Sequence, residues 1–305
     1  SRIIVGLTIA ILVLSLLVLF SSCHQKGEFA RKDIFTRQLI WIFAGLIVMY
    51  IVSNFDYRRL RDIVWPLYFF ALFILVLVLI IGHTRLGAQR WLVWGGINFQ
   101  PSEIGKIALI LALSHYFSTK SFEELIIVKK RLSLLQGFII PLCITATIAF
   151  LVAIQPDLGT ALVYIFLFMF LVVFCGVRVR YVVSFLFALV AMSPLFWFSL
   201  RDYQKDRLLV FLNANRDPLG AGYTIIQSKI AIGSGRLVGK GWLSGTQNQL
   251  NFLTERHTDF IFSTLGEEWG FWGSIALLVL FYFLIQRILR LSFLVSDPFA
   301  KNLCM

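Results

Sequence analysis

The sequence predicts an all-α polytopic membrane protein with about eight transmembrane helices, and three observations carry that prediction. First, 59% of the 305 residues are hydrophobic and only 14% are charged, with a mean hydropathy of +0.83. A soluble domain is about 45–50% apolar and about 25% charged, so lipid must replace water around much of this chain. Second, apolar runs recur at the length a bilayer demands, since about 20 residues at 1.5 Å each cross a core about 30 Å thick. Third, the bases stand in short clusters between those runs, the distribution by which membrane proteins orient themselves. The net charge of +12 is thus a topology signal, and no nucleic-acid partner is expected.

The first run, 3–20, follows a lone Arg2 and has no small-x-small cleavage site before Cys23, so it is a spanning helix rather than a signal peptide. Runs 37–53 and 63–82 follow. The run 104–117 is short and reaches spanning length when its helix begins at Pro101. Proline is favoured in the first helical turn, and Glu103 suits the positive end of the dipole. Runs 136–154, 159–176, 181–200 and 269–285 complete the eight. The clusters Arg58-Arg59-Arg61 and Lys129-Lys130-Arg131 place the N-terminus and segments 54–62, 118–135, 177–180 and 286–305 in the cytoplasm. Cys143 and Cys175 lie inside apolar runs as packing residues. Cys23 and Cys304 then fall on opposite sides of the membrane and cannot pair, and the sequence has no CxxC or Cys/His metal spacing. The chain reads as a single transmembrane domain, 1–305, holding one large outer loop, 201–259. Loops beyond about 15 residues are usually functional or disordered. This one interleaves glycines from Gly220 to Gly245 with Ile225, Ile226 and Trp242, a pattern for short structured pieces at the outer membrane face.

Three polar clusters could carry chemistry. Glu255-Arg256-His257-Thr258-Asp259 stands directly before an apolar run, at the outer surface where a lipid-linked head group would lie. It supports either helix capping by Thr258 or Asp259 or a catalytic carboxylate. In Gln100-Pro101-Ser102-Glu103-Ile104-Gly105-Lys106, Glu103 and Lys106 share a helix face and can pair. An ionisable group a turn inside the membrane is often functional, and the alternative is a salt-bridged lysine snorkelling outward. Upstream, Arg85 and Arg90 beside Trp91 and Trp94 form either an interfacial anchor or an anion-binding surface. In Gln155-Pro156-Asp157-Leu158-Gly159, Asp157 opens a helix, and the macrodipole accounts for it structurally.

Residues 87–106 (GAQRWLVWGGINFQPSEIGK), 155–159 (QPDLG), 216–249 (RDPLGAGYTIIQSKIAIGSGRLVGKGWLSGTQNQ) and 255–262 (ERHTDFIF) occur in an order that resembles the SEDS family of peptidoglycan glycosyltransferases. GKGWLSGTQ and Arg256 before His257 resemble its RodA branch, which serves cell elongation and shape. The resemblance implies polymerisation of lipid II into glycan strands at the inner membrane, with undecaprenyl pyrophosphate released. It implies Asp259 as the catalytic carboxylate, and Glu255 and His257 as neighbours at the substrate. Positive charge for the leaving pyrophosphate would come from Arg90, Lys106, Lys229 or Lys240, with Glu103 beside Lys106, or from a divalent metal ion. Implied partners are membrane lipid, a class B penicillin-binding protein and the elongation machinery. Two departures stand out: Thr254 replaces a usual proline, and the family's ten helices are eight here, so the last two are expected to be missing. The competing functions are a lipid II flippase, which needs broken helices around a midplane site, and a non-catalytic scaffold for a transpeptidase.

Overall fold

The eight apolar runs are helical in the computed structural model, which describes residues 2–25, 28–29, 32–85, 88–94, 97–127, 134–200, 202–220, 222–250, 252–253 and 257–305. They fall in α1 (Arg2–Cys23), α2 (Lys32–Ser53), α3 (Leu60–Ile81), α4 (Pro101–Ile127), α5 (Ile140–Ile154, continued from a wider turn at Leu135–Ile139), α6 (Leu158–Phe174), α7 (Val179–Ser199) and, after three shorter helices, α11 (Ile261–Leu294). The three are α8 (Asp202–Leu212), α9 (Tyr223–Ser234) and α10 (Thr246–Gln249), and all fall within the segment 201–259 that the sequence reads as an outer loop. Among the described residues, six helical stretches are long and apolar enough to cross a membrane: Arg2–Cys23, Lys32–Ser53, Tyr57–Ile81, Leu135–Ile154, Val179–Phe198 and Ile261–Leu294. Leu158–Phe174 is apolar but shorter. The basic cluster Lys129-Lys130-Arg131 lies outside the described residues.

Three features depart from the expected layout. Small antiparallel pairings interrupt the helices: β1 (His24–Gln25) with β2 (Glu28–Phe29), and β3 (His83–Arg85) with β4 (Ala88–Trp94) and β5 (Ile97–Phe99). The alternating stretch AQRWLVW suits a strand, which pairs Thr84 with Gln89 and Leu92 with Phe99. The last spanning helix is longer than its apolar run and is broken at Gly270. The tail forms one more helix, α12 (Pro298–Cys304), with Pro298 in its first turn.

The chain divides into two compact units. One comprises Asp56–Met192 and Ile288–Met305 and holds the large apolar core. The buried residues of α3 are Val64, Tyr68, Ala71, Leu75 and Val78, spaced four-three-four-three along one stripe. α4 contributes Leu109, Ala112, Leu113 and Phe117 to the same core, and α6 contributes Tyr164 and Phe168. Tyr68 Oη donates to the Ile144 carbonyl of α5 at 2.8 Å, satisfying the ring's polar end. α12 packs on α4 with Phe299 fully buried, and Asn302 donates to the Ser114 carbonyl at 3.3 Å. Arg61 pairs with Asp297 and lies over the Phe299 ring, 5.2 Å from its centroid. Burial opposes the Asp297 charge, yet the Arg61 hydrogen bond and charge, with the Ala300 and Phe299 N–H groups, hold its carboxyl below the usual aspartate range.

The other unit comprises Ser1–Phe55 and Ser193–Arg287. α2 buries no residue in it, and Trp41, Phe43 and Tyr50 are exposed, as lipid-facing positions in a span would be. Its buried set is unusually polar: Ser21, Ser22, Asn248, Ser263, Thr264, Glu267 and Glu268 are all enclosed.

Candidate active site

The polar interior of this second unit is organised by the break in α11. At Gly270 the backbone adopts φ 64° and ψ −157°, a region open essentially to glycine alone. In an unbroken helix the Phe271 and Trp272 N–H groups would bond the carbonyls of Glu267 and Glu268. Here those four groups all turn to the outer loop. Phe271 N donates to the Arg236 carbonyl at 2.9 Å and Trp272 N to the Leu237 carbonyl at 3.3 Å. In return, Lys240 N donates to the Glu267 carbonyl and Gly241 N to the Glu268 carbonyl, each at 3.0 Å. Residues 236–241 therefore act as a strap that satisfies these four backbone groups, as a low-dielectric setting requires. Gly239, at φ 87°, lies so close under α11 that a Cβ there would collide with the Glu268 carbonyl.

Side chains reinforce the strap. The Glu267 carboxylate is fully buried and accepts from Lys240 Nζ at 2.7 Å, Thr246 Oγ1 at 3.0 Å and Gln247 N at 3.1 Å. Lys240 Nζ also donates to Thr246 Oγ1 at 2.8 Å. Glu268, 2% exposed, accepts from Ser21 Oγ at 2.5 Å, and Asn248 Nδ2 donates to the Ser21 carbonyl at 2.9 Å. Lys240, read from the sequence as a base for pyrophosphate, is thus the counter-ion of a buried carboxylate. Sequence reasoning misses both glutamates, although two adjacent acids within an apolar helix are a signal of their own.

Asp259 stands in the turn 257–260 immediately before Ile261. It is exposed, and among the described residues it makes neither an ion pair nor a capping hydrogen bond. The first helical turn is instead supported by Ser263 N donating to the Phe260 carbonyl at 3.0 Å. His257 is partly exposed in the same turn, and Lys229 is exposed on α9. Thr254, Glu255 and Arg256 lie outside the described residues.

The remaining candidates belong to the first unit. Arg90, on β4, pairs with Asp157 at 3.3 Å. Asp157 is the N-cap of α6, with Thr160 N 3.4 Å from one carboxylate oxygen and Thr160 Oγ1 2.9 Å from the other. It also accepts from Gln100 Nε2 at 3.2 Å. The sequence accounts for the cap but not for the arginine and glutamine that converge on it. Gln155 is buried and donates to the Leu75 carbonyl at 3.0 Å, fixing the same corner to α3. Glu103 and Lys106 pair at 2.8 Å along α4, with 59% and 29% of their side chains exposed. Gly105 lies against the Tyr164 hydroxyl, which donates to the Ser102 carbonyl at 2.7 Å. No three His, Cys, Asp or Glu side chains converge as a metal-binding group among the described residues.

Comparison with known proteins agrees with these motifs. The family FtsW/RodA/SpoVE, described as a cell cycle protein, matches residues 2–305. The peptidoglycan glycosyltransferase MrdB of Escherichia coli K12 is 39% identical over 295 residues, 96% of this chain and 76% of that protein. The probable peptidoglycan glycosyltransferase FtsW of Trichlorobacter lovleyi is 36% identical, over 88% of this chain and 69% of its own. A chain from a study of how a peptidoglycan synthase complex coordinates polymerisation and crosslinking superposes with TM-score 0.80 at 28% identity, covering all of this chain and 81% of that one. The rod-shape-determining protein RodA of Thermus thermophilus superposes with TM-score 0.67 at 26% identity, covering 99% and 79%.

Proposed function

The chain belongs to the FtsW/RodA/SpoVE family of cell cycle proteins, and on that premise we propose that it is a peptidoglycan glycosyltransferase that extends glycan strands from lipid II at the outer face of the bacterial inner membrane. The observation that carries this reading is the 39% identity, over 96% of the chain, to a protein bearing that name. In the reaction, the 4-hydroxyl of an acceptor sugar attacks the anomeric carbon of a donor. The new C–O bond forms as the bond to the pyrophosphate oxygen breaks, and undecaprenyl pyrophosphate departs with the electron pair. Asp259 accepts the hydroxyl proton. Its exposure, and the lack of a capping bond among the described residues, support a carboxylate available to substrate. Lys229 is a cation in the same unit available to the leaving group, and Arg90 and Lys106 are the candidates in the other. A class B penicillin-binding protein is the proposed partner, supported by the similarity to a chain from a synthase complex that couples polymerisation to crosslinking.

The flippase alternative called for broken helices around a midplane site. Among the described residues α11 is broken at Gly270, but the four backbone groups of Glu267, Glu268, Phe271 and Trp272 are bonded to the chain's own strap, which leaves none of those four to a cargo.

Lipid II polymerisation by wild type and Asp259→Asn, at matched melting temperature, tests the assignment. Asparagine caps helices as well as aspartate but accepts no proton, so the rate should fall by about 10²–10⁴-fold. Near-wild-type synthesis by the variant would remove Asp259 from the chemistry.

A further inference from the structure

Two buried carboxylates sit two turns along the helix that Asp259 precedes, and the proposed chemistry uses neither. Six residues at 1.5 Å rise put Glu267 about 9 Å along the axis from Ile261, where the helix begins. Burying an ionised carboxylate is costly unless charge and hydrogen bonds answer it. At Glu267 the answer comes entirely from the outer loop: the Lys240 ammonium, the Thr246 hydroxyl and the Gln247 N–H. All three donors lie within residues 240–247. Each also belongs to a stretch pinned by other means, at the Lys240 and Gly241 N–H groups and, through Asn248, at the Ser21 carbonyl of α1. The strap and α10 are thus gathered onto one face of the half-helix between Ile261 and Gly270. A second oxygen of Glu267, Oε2, is buried without a hydrogen-bond partner. A carboxylate kept only for stability would more readily be replaced by a neutral residue there, because apolar substitutes for buried ion pairs are often neutral or stabilising.

We propose that Glu267 is a positioning residue for glycosyl transfer. Through Lys240, Thr246 and the Gln247 N–H it locks residues 240–249 onto the half-helix that follows Asp259, and so holds that helix and the loop in one fixed arrangement. The role rests on the reading of Asp259 given above. Lys240 acts here as the clamp's counter-ion, and its charge is not available for pyrophosphate. The hydrogen bond from Ser21 to Glu268 ties the half-helix itself to α1.

The test uses the full chain in detergent, with wild type, Glu267→Gln, the double variant Lys240→Met/Glu267→Gln, and Asp259→Asn. Three quantities are read: amide hydrogen exchange at residues 240–249, melting temperature, and kcat and KM for lipid II polymerisation. Glu267→Gln keeps an oxygen for Thr246 and Gln247 but loses the ion pair. Exchange at 240–249 should quicken, and kcat should fall about tenfold or more with KM near wild type, since a displacement near 1 Å can cost about 10²-fold in rate. If unpaired Lys240 prevents folding of the single variant, the double variant removes both charges and should fold, again with the loop loosened and kcat low. Wild-type kcat in a folded variant with a loosened loop would overturn the proposal. So would lost kcat with the loop as protected as in wild type. Asp259→Asn separates the two readings, because it should cut turnover by about 10²–10⁴-fold while leaving exchange at 240–249 unchanged. An active Asp259→Asn would sink the assignment of that carboxylate, while the Glu267→Gln exchange and kcat would still decide the clamp.

Discussion

Gly270→Ala is the most direct perturbation of the strap. The present φ of 64° and ψ of −157° cost an alanine about 1–3 kcal/mol in backbone strain alone. The added Cβ would also sit 2.8 Å from the Val238 carbonyl carbon and 2.9 Å from the Gly235 oxygen, and in direct conflict with Gly239 N. These are backbone atoms of the strap and of Gly235 just before it, so relief requires that stretch to move away. Movement would weaken the Phe271–Arg236 and Trp272–Leu237 hydrogen bonds, each worth about 1 kcal/mol net and more if its groups stay buried. Together these terms predict a loss of about 3–5 kcal/mol, large against a typical total of about 5–15 kcal/mol. Membrane proteins often unfold irreversibly, so the appropriate assay is relative thermal inactivation at a fixed scan rate. Gly233→Ala is the control: it lies in α9, where an added Cβ would meet nothing within 4 Å, and should be neutral or stabilising by up to about 1 kcal/mol. Equal inactivation profiles for the two variants would refute the account of the break.

Other expectations follow from the first unit and from topology. Asp157→Ala should cost about 3 kcal/mol or more, because it strands Arg90, whose Nε is already buried without a partner; Asp157→Asn, which retains the cap, should cost less, and a melting series on both would show it. Lys106→Ala should change the melting temperature little, since exposed pairs are worth about 0.2–1 kcal/mol, and a severe loss of folding would contradict the exposure of Glu103. The Asp297 carboxyl has its folded pKa held below the unfolded value of about 3.9, so its contribution is present above that value and lost as pH falls through the folded pKa. The stability advantage of wild type over Arg61→Met should therefore be full at neutral pH and shrink in acid below about pH 4; a constant difference from pH 7 to pH 3 would count against the pair. Impermeant thiol labelling of intact cells should reach a cysteine at Gln227 or Trp242 but not at Arg58 or Lys129, and labelling at Lys129 without permeabilisation would reverse the orientation.

The spanning helices were legible because lipid imposes a length and a composition on every run, and those constraints act locally. The cap at Asp157 was legible for the same reason, as a residue type at a helix end. The convergence of Arg90 and Gln100 on that cap was not, because it joins β4, the residue before α4, and α6 across 57 to 67 positions of sequence and no local rule encodes it. The β3–β5 meander hid among basic and aromatic residues that also suit an interfacial loop. Likewise, the outer loop's glycines announced structure without saying which backbone they would approach.

The acids of α11 show the limit from another side. An apolar helix carrying Glu267 and Glu268 asks where their charges are answered, and that question can be put from sequence alone. Its answer depends on the break at Gly270. Without the break, the Glu267 and Glu268 carbonyls would be taken by the helix itself, and the Lys240 and Gly241 N–H groups would have nothing to bond there. Lys240 would then have no reason to stand beside Glu267, and its ammonium would be free for an anion. One backbone conformation at one glycine thus converts Lys240 from a candidate substrate ligand into a structural counter-ion. A residue's chemistry in this loop depends on the backbone route that delivers it, and Lys229, exposed on the regular helix α9, remains a loop candidate for an anionic ligand.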